Sequence, residues 1–535
     1  MDAAKFTSSD ANLEKVWQLS KNTIESLNVN FYTDSWTRER INYEADGYLQ
    51  LMSTLNLDND LSLGRYSMNY FKNNRTWPTE WPIYVILAVH DAWRQTGDTE
   101  QVASYYANLQ TKLPTKWLES STGLIRKTSG SNGGNSSGDD DIVDWPASER
   151  DGYSFQQYNT VINSISYRAY RDMAAMATSL GKDADAASYT AIADRLRDAI
   201  NDKFYNAEAG KYDDGMNAAG TVTGHYSLHA SAFALAFGVP ETNQSSKVAE
   251  YVGSRGMACS VYCAGFLIKG LYAGGNGQAA LDLMTATGTK SWMNMINLGA
   301  GATMEAWDPS LKPNLTYSHP WAASPAFTVP TGLFGVQSLE PGYSSFEVKP
   351  QPGTLKYGTI TVPTVRGQIG VAFDHGDDDE VRMSANVPGN TTATLSVPTT
   401  ATEATTLYVD RVPRTVTPKD GYLTVDDVAP GCHVLTTEAG GAAASDERLT
   451  SVCTTAPAAG PQVDVEISHP GQDGWFGIGA AATLTSTDSS ATVEYRLGDG
   501  AWTTYSAPVT LPAGEVTVSL PGPPAPTGRR ATPGQ

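Results

Sequence analysis

Apolar residues recur at helical spacing through the first 345 residues of the chain. Eleven segments place them at positions i, i+3, i+4 and i+7, so each segment predicts one amphipathic helix. Short loops containing Gly, Asn or Pro separate the segments, and the predicted helices therefore follow one another in pairs. Such pairs close either into a solenoid or into a toroid of inner and outer helices. Because no fixed-period repeat is visible, the pattern favours the toroid, which we assign to residues 1–342.

The pattern changes near residue 343 to short runs in which apolar and polar residues alternate. These runs, such as GTITVPTV and TATLSVP, predict an antiparallel β-sandwich over residues 343–439. The small and polar residues of 440–461 predict a flexible linker. Residues 462–520 then predict a small, incomplete immunoglobulin-like β domain, and 521–535 a disordered tail. The predicted fold class is a multidomain α plus β protein.

The charge balance excludes two classes of partner. The chain of 535 residues has 37 basic and 57 acidic side chains and a net charge of −20, which repels nucleic-acid phosphates and anionic lipid. It contains no run of about 18 apolar residues, so we predict no membrane span. The N-terminus lacks a signal-peptide pattern, whereas the last β domain is of a type common in secreted or cell-surface proteins. The sequence does not decide whether the protein is cytoplasmic, secreted or on the cell surface. It also leaves the oligomeric state open.

The four cysteines do not predict a metal site or a disulfide framework. Cys259 and Cys263 lie in an apolar stretch, where buried thiols act as small hydrophobic groups. Cys432 and Cys453 could meet if oxidised, and the sequence does not decide whether they do. The acidic runs 139–141 and 377–380 lack the alternating ligand spacing of a calcium loop, so we predict solvated turns there.

One segment, FYTDSWTRERINYEADGY, mixes carboxylates with aromatic residues. A solvated loop whose acids pair with its own arginines is the common interpretation of such a charge cluster. Here Tyr32, Trp36 and Tyr43 are interleaved with the charges. Sugars need aromatic faces for their C–H surfaces and charged acceptors for their hydroxyls. We therefore predict that three acidic side chains surround one sugar pocket: Asp34, Glu39 and Asp46.

A second segment, NLGAGATMEAWDPS, supplies the partner carboxylate. A glycoside hydrolase needs one carboxyl that donates a proton to the leaving oxygen and one that acts on water or on the anomeric carbon. Glu39 and Glu305 are the best pair, although Glu305 could instead complement a helix dipole. A water-activating Glu305 predicts carboxyl groups roughly 6.5–9.5 Å apart, against about 5–5.5 Å for a nucleophile.

Four further residues are assigned to the walls of the same pocket. Trp307 follows Glu305 closely, and His319 is predicted to hydrogen bond to substrate, although a lone histidine beside a tryptophan is more often structural. Trp81 and Trp145 are each followed by a proline, and we predict that they lie at the rim or floor of the cavity. Packing of Trp81 into the seam between helices is an equally good interpretation.

The string DSWTRERINYEAD resembles a divergent copy of the signature of bacterial α-L-rhamnosidases of glycoside hydrolase family 78. That signature contains Asp-Cys-Pro, an Arg, a Glu-Arg pair, an aromatic residue and Gly-Asp. The segments WPIYVILAVHDAWRQTGD, DIVDWP, SLHASAFALAFGVP, GATMEAWDPS and SHPWAASPAFTVPTGLFGVQSLEPGY follow in the family's order. The resemblance covers about residues 5–440 and implies an (α/α)6 barrel followed by a β-sandwich.

The resemblance also implies roles for individual residues. It makes Glu39 the general acid and Glu305 the general base that activates water. Asp34, Arg38 and Asp46 become ligands of the rhamnose hydroxyls. Tyr43 stands where the family usually has Trp, Trp145 matches an aromatic of the pocket wall, and His319 matches a histidine after the base. Ser35-Trp36 replaces the usual Cys-Pro, and Glu44-Ala45 replaces Thr-Gly.

The predicted function is therefore an inverting exo-α-L-rhamnosidase that acts on terminal rhamnose of a rhamnoside and uses no cofactor or metal. Two alternatives stay open. One keeps the toroid and changes the reaction, to another (α/α)6 glycosidase or to a polysaccharide lyase. The other is a truncated, inactive carbohydrate-binding protein, because the N-terminal β domains of the family are missing and the chain is expected to start at the first helix of the barrel.

Overall fold

The computed structural model describes residues 3–76, 80–127, 141–375, 380–438 and 447–454, together with short stretches between 463 and 519. The chain forms two compact units, Met1–Cys453 and Thr454–Gln535. The first unit contains a helical barrel and a β-sandwich, and it holds every residue assigned to the candidate site.

Thirteen helices build the barrel within the described residues. Their bounds are α1 Ala11–Leu27, α2 Glu44–Leu57, α3 Ser62–Asn73, α4 Trp81–Thr96, α5 Thr99–Gln110, α6 Thr160–Ser179, α7 Asp183–Phe204, α8 Leu228–Phe237, α9 Thr242–Ser254, α10 Val261–Ala273, α11 Gly277–Thr285, α12 Trp292–Asn297 and α13 Pro325–Thr328. The sequence predicts the first eleven. Helices α12 and α13 are too short, at six and four residues, to show a helical period.

Side chains at the helix ends explain where several helices begin and stop. The carboxylates of Asp10 and Asp98 accept hydrogen bonds from the first free backbone N–H groups of α1 and α5, and the hydroxyl of Ser260 does the same for α10. Helices α4 and α8 end at Gly97 and Gly238, whose left-handed backbone (φ 74°) favours glycine.

Six helices form the inner ring of the barrel: α2, α4, α6, α8, α10 and α13. Each contacts the next, and α13 closes the ring by contacting both α10 and α2. Every residue of α8 is buried, and α2 is buried on all its faces, as expected for helices surrounded by other helices. The closed ring confirms the toroid predicted from the helix pattern.

The sandwich consists of two sheets. The larger contains, in spatial order, Lys5–Ser8, Tyr357–Thr364, Gly367–His375, Val381–Val387, Gly431–Thr436, Thr405–Val409 and Val412–Val416. The smaller contains Tyr422–Val428, Thr392–Pro398, Ser345–Val348 and Val336–Ser338. The larger sheet is antiparallel throughout, whereas in the smaller one Thr392–Pro398 pairs in parallel with Ser345–Val348. The structure thus confirms the sandwich and adds one parallel pair.

Two segments differ from the predicted domain boundaries. Lys5–Ser8, predicted within the barrel, pairs as an edge strand with Tyr357–Thr364, so a sandwich strand precedes the first helix. The predicted linker contains a helix, α14 (Glu447–Thr454), whose Leu449 and Val452 are buried against the larger sheet. A disulfide joins Cys432 to Cys453, with Cα atoms 5.5 Å apart, and this pairing holds α14 to the sheet.

The second unit is described only in part. Two three-stranded sheets are visible, one of Val463–Ile467, Ala481–Ser486 and Val509–Thr510, and one of Thr503–Thr504, Glu494–Leu497 and Val518–Ser519. Its immunoglobulin-like character stays a prediction, and the tail 521–535 lies outside the described residues. None of the helices that the structure describes has the length and apolar character needed to cross a bilayer.

Candidate active site

The candidate site lies where the inner helices begin. Residues 28–43 connect α1 to α2 and carry Asp34, Arg38 and Glu39, and the first turn of α2 carries Asp46. The segment between α12 and α13 supplies Glu305 and His319. Because α13 packs against α2, the closed ring brings these two distant parts of the chain together.

The guanidinium of Arg38 bridges the two predicted catalytic carboxylates. Its Nη2 lies 3.0 Å from Oε1 of Glu39 and 2.6 Å from Oε1 of Glu305. These two oxygens therefore cannot be farther apart than the sum of the two distances, which is below the roughly 6.5–9.5 Å predicted for a water-activating Glu305. The wide separation predicted from the sequence is thus not found in this arrangement of the two side chains. The family resemblance implies that Arg38 binds the sugar hydroxyls, but here Arg38 is bound to both carboxylates.

Glu305 is held as an anion by several donors. Its Oε2 accepts the backbone N–H of Thr316 (2.9 Å), and its Oε1 lies 3.2 Å from Nζ of Lys312 as well as close to Arg38. Burial alone would raise the pKa of this carboxyl. The charge of His319, the Thr316 N–H, Arg38 and Lys312 outweigh burial and lower the pKa below its ordinary value.

Asp46 and His319 form a buried pair at the floor of the site. Nε2 of His319 lies 2.9 Å from Oδ1 of Asp46, and its Nδ1 lies 3.0 Å from the hydroxyl of Thr316. Burial raises the pKa of Asp46 from 3.8 to about 6, and His319 opposes the shift. Oδ2 of Asp46 has no hydrogen-bond partner among the described residues, so one acceptor there is unused.

Asp34 fixes the shape of the loop that carries Arg38 and Glu39. Its Oδ1 accepts the backbone N–H of Ile41 (2.9 Å), and its Oδ2 accepts the hydroxyl of Ser35 (3.0 Å). Its own N–H donates to the carbonyl of Ile41 (2.9 Å). Both carboxylate oxygens are thus engaged inside the loop, and the structure does not show Asp34 presenting them to a ligand.

Aromatic side chains line one side of the site. The ring of Tyr43 meets Trp81 edge to face, with centroids 6.0 Å apart, and Trp81 packs against Tyr262 at 6.3 Å. Tyr43 hydrogen bonds to Glu39, and burial with the nearby negative charges raises the pKa of its phenol. Trp81 is buried, so it occupies the helix seam as well as contacting the residues of the site.

The other two predicted tryptophans differ in exposure. Trp145 is half-buried, and its neighbour Asp144 accepts hydrogen bonds from Nε2 of His229 (2.7 Å) and from the backbone N–H of Ser260 (2.9 Å). Trp307 has no exposed surface, and its Nε1 donates to the carbonyl of Cys259 (2.8 Å). The assignment of Trp307 to the substrate-contacting wall of the pocket is therefore wrong, because its ring packs edge to face on Trp292 in the core and leaves no surface for a ligand.

Several contributors to the site were not predicted. Lys312 and Thr316 bind Glu305, and the Nε1 of Trp321 donates to the Glu305 carbonyl (3.2 Å). Their only sequence signal is proximity to Glu305 and His319. Arg38 had a stronger signal, since it lies next to Glu39 in the same charged segment.

Two groups combine histidine with possible metal ligands within the described part of the chain: Asp144, His229 and Cys263, which are buried, and His90, Asp91 and Asp172, of which only Asp172 is buried. In the first group, the hydroxyl and N–H of Ser260 and the ring of His229 already occupy Asp144. In the second group, Arg168 donates to both aspartates. The donors present thus suit a hydrogen-bonded role.

Asp46 makes the stability of the fold depend on pH. The pKa of Asp46 is raised in the folded state, so the protonated carboxyl favours folding. Its contribution to the free energy of unfolding is fully present below about pH 4 and is lost as pH rises through about 6. The side chain of the Asp46→Asn variant cannot titrate. We therefore expect the free energy of unfolding of this variant, measured relative to wild type, to increase by about 2 kcal/mol between pH 4 and pH 7. Thermal or denaturant unfolding of both proteins at the two pH values measures this increase. If the difference in unfolding free energy between the two proteins does not change with pH, burial does not raise the pKa of Asp46.

The comparisons with known proteins follow the domain division. Residues 1–327 match the family described as the bacterial alpha-L-rhamnosidase 6 hairpin glycosidase domain, and residues 335–407 match the bacterial alpha-L-rhamnosidase C-terminal domain. A search of curated proteins found no match.

Three solved structures share the fold. The family 78 rhamnosidase of Bacillus sp. GL1 is 21% identical, with a TM-score of 0.61 over 74% of this chain and 43% of its own. The α-L-rhamnosidase of Dictyoglumus thermophilum is 16% identical (TM-score 0.66; 81% of this chain, 50% of its own). The Streptomyces avermitilis α-L-rhamnosidase, complexed with L-rhamnose, is 16% identical (TM-score 0.65; 82% of this chain, 42% of its own). This chain therefore spans half or less of the length of each.

Proposed function

Since the chain belongs to the bacterial α-L-rhamnosidase family, we propose that it is an exo-acting glycoside hydrolase that releases terminal α-L-rhamnose with inversion. The observation that carries the proposal is the meeting of Glu39 and Glu305 on one guanidinium, in a setting of buried acids and aromatic rings. Two carboxyl groups in one site are the minimum that glycoside hydrolysis requires.

Glu305 is suited to the role of base. A general base must be ionised at the working pH. The charge of His319 and three donors, the Thr316 N–H, Arg38 and Lys312, hold the pKa of Glu305 below its ordinary range. Its side chain is only 3% exposed, so its charge is fixed in position and poorly screened by solvent. In the proposed reaction it removes a proton from the water that attacks the anomeric carbon.

Glu39 is suited to the role of acid because its side chain is accessible from solvent, where the leaving group extends. Its side chain is 39% exposed, which lets it reach the oxygen of a leaving group that extends out of the site. Tyr43 hydrogen bonds to it and limits its orientations. In the proposed reaction Glu39 gives its proton to the glycosidic oxygen while the bond to the anomeric carbon breaks, so the leaving group departs as a neutral alcohol.

Arg38 has two parts in this proposal. Without substrate it separates two carboxylates that would otherwise repel each other, and it helps to keep Glu305 ionised. An inverting reaction needs room for a water beside Glu305. We infer that rhamnose displaces the Arg38 guanidinium from Glu39, a movement that suits a long side chain with 29% exposure. The contact of its Nη1 with the carbonyl of Asn314 (3.0 Å) keeps it near Glu305.

The floor and wall supply the sugar contacts. The unused Oδ2 of Asp46 is the acceptor for a rhamnose hydroxyl, with His319 orienting the carboxylate through Oδ1. The ring of Tyr43 offers an apolar face for the C–H surface of the sugar. Asp34 acts through the loop that carries Arg38 and Glu39, which its hydrogen bonds keep closed.

A panel of aryl glycosides tests the proposal on the full chain. We expect turnover of the aryl α-L-rhamnoside and at least about 100-fold lower kcat/KM on the α-L-fucoside, α-D-mannoside and β-D-glucuronide, because buried polar groups left unpaired by the wrong sugar reduce transition-state binding. Rhamnose binding without turnover of the rhamnoside would favour a carbohydrate-binding protein. Turnover of another glycoside in preference to the rhamnoside would place the chain in another glycosidase class.

A further inference from the structure

One lysine holds Glu305 from within the same segment of the chain. Nζ of Lys312 lies 3.2 Å from Oε1 of Glu305 and donates to Oδ1 of Asn314 (2.9 Å). The Lys312 side chain is only 10% exposed, whereas that of Arg38, which contacts the same oxygen, is 29% exposed. Glu305 is thus contacted by one buried cation and by one accessible cation.

The backbone keeps Lys312 in this position. The N–H of Leu315 donates to the carbonyl of Lys312 (3.0 Å), which closes a β-turn with Pro313 at its second position, where proline is favoured. Just beyond the turn, the N–H of Thr316 donates to Oε2 of Glu305 (2.9 Å), and the N–H of Glu305 donates to the carbonyl of Thr316 (3.0 Å). The turn therefore presents an ammonium group and a backbone donor to one carboxylate.

Arg38 is less firmly fixed than Lys312. Its Nη2 is shared between Glu305 and Glu39, and in the proposed reaction the guanidinium leaves Glu39 when the sugar binds. Its Nη1 donates to the carbonyl of Asn314, a residue on the exposed rim of the site. The lysine or arginine charge that keeps its place beside Glu305 throughout the proposed reaction is therefore that of Lys312.

The balance of charge around Glu305 depends on these cations. Neighbouring carboxylates favour the protonated form of Glu305 because like charges repel, and neighbouring cations favour the anion. Within the described structure, the charged and titratable groups that face Glu305 are Arg38 and Glu39 from the loop before α2, Asp46 from α2, and Lys312 and His319 from the segment between α12 and α13.

We propose that Lys312 is a positioning residue that holds Glu305 in its anionic form during the reaction and thereby sets the lowest pH at which the chain hydrolyses rhamnosides. The inference rests on the proposed function, in which Glu305 is the base. A base with a lower pKa is ionised at lower pH, but it is also a weaker proton acceptor. Lys312 therefore extends activity towards acidic pH and does not raise the rate near pH 7.

Carbon-13 NMR of the full chain, labelled at the glutamate carboxyl carbons, reads the protonation of Glu305 directly. The signal that disappears in Glu305→Gln identifies its resonance. Lys312→Met removes the charge and keeps an unbranched side chain. We expect the pKa of Glu305 to rise by about one pH unit or more in this variant, the usual effect of losing an opposite charge in contact. An unchanged pKa would overturn the proposal.

Kinetics tests the consequence for the reaction. With an aryl α-L-rhamnoside, kcat/KM of Lys312→Met should lie within about 3-fold of wild type at pH 7, and the ratio of wild type to variant should increase at least about 3-fold between pH 7 and pH 4. Asp46, whose pKa is about 6, titrates in both proteins, so the ratio isolates the effect of Lys312. A ratio that does not change with pH would mean a structural role only, and would contradict the proposal.

Three further variants show whether the charge itself is responsible. Lys312→Arg keeps a positive charge beside Glu305 and should stay closer to wild type than to Lys312→Met in both measurements. Lys203→Met removes the same charge from an exposed position on α7 and should leave both measurements unchanged. If Lys312→Met does not fold, Lys312→Gln replaces it, because it is also neutral and can still hydrogen bond to Asn314. A pKa of Glu305 that rises as far in Lys312→Arg as in the neutral variant would overturn the proposal.

The NMR titration separates failure of this inference from failure of the proposed function. If the wild-type chain hydrolyses no rhamnoside, the proposed function fails, and a raised pKa of Glu305 in Lys312→Met still supports the positioning role of Lys312. If rhamnosides are hydrolysed and Glu305 titrates identically in wild type and Lys312→Met, the proposed function stands and this inference is wrong.

Discussion

Glu305→Gln is expected to lower kcat on an aryl α-L-rhamnoside by about 10²- to 10⁴-fold, the usual contribution of a general base. The amide keeps the size of the side chain but cannot accept the proton of the attacking water. The contacts that hold Glu305 in place also favour its ionised form, because the positive groups of Arg38 and Lys312 lie 2.6 and 3.2 Å from one of its oxygens.

Steady-state kinetics with this substrate measures the loss, and thermal unfolding shows whether the variant keeps its fold. Glu403→Gln makes the same change at an exposed position of the sandwich and should behave as wild type. If Glu305→Gln keeps more than about a tenth of the wild-type kcat, Glu305 is not the base, and its buried charge serves only to anchor Arg38.

Glu39→Gln is expected to divide substrates by their leaving groups. A rhamnoside with an alcohol leaving group should lose about 10²- to 10⁴-fold in kcat/KM, because the departing alkoxide needs a proton. An aryl rhamnoside with an acidic phenol should lose far less, about 10-fold or under, since the phenolate leaves without protonation.

The two substrates are compared in one preparation of the variant, so the ratio of losses is independent of the active fraction. Glu250→Gln, on the exposed face of α9, is the matched control. Equal losses on both substrates would remove Glu39 from the acid role and leave it as a partner of Arg38.

The barrel could be predicted because its signal is local. Each long helix shows its own apolar period, and Glu39 and Asp46 stand in one short segment with the aromatic residues that accompany them. Contacts between distant parts of the chain carry no such signal. Lys5–Ser8 pairs with a strand more than 350 residues away, as the hydrogen bond between Thr7 and Thr359 shows, and its four residues resemble any short extended segment.

Side-chain environment was the least predictable feature of the site. Trp307 lies two residues after Glu305, yet it points into the core, while Trp321 comes from further along the chain and contacts His319 with ring centroids 4.5 Å apart. The bridging position of Arg38 depends on Glu305, 267 residues later, being brought beside it by ring closure. Residue types led to the predicted chemistry, and tertiary packing determined which side chains lie together in the candidate site.

The pairing of Glu39 as acid with Glu305 as base is tested most directly by the stereochemistry of the first product. Proton NMR of an aryl α-L-rhamnoside hydrolysed by the full chain, recorded before mutarotation, shows the anomeric configuration of the rhamnose released. A water activated by Glu305 attacks the face opposite the leaving group, so the account predicts β-L-rhamnose as the first product. First release of α-L-rhamnose would contradict it, because retention requires a covalent intermediate on one of the two carboxylates.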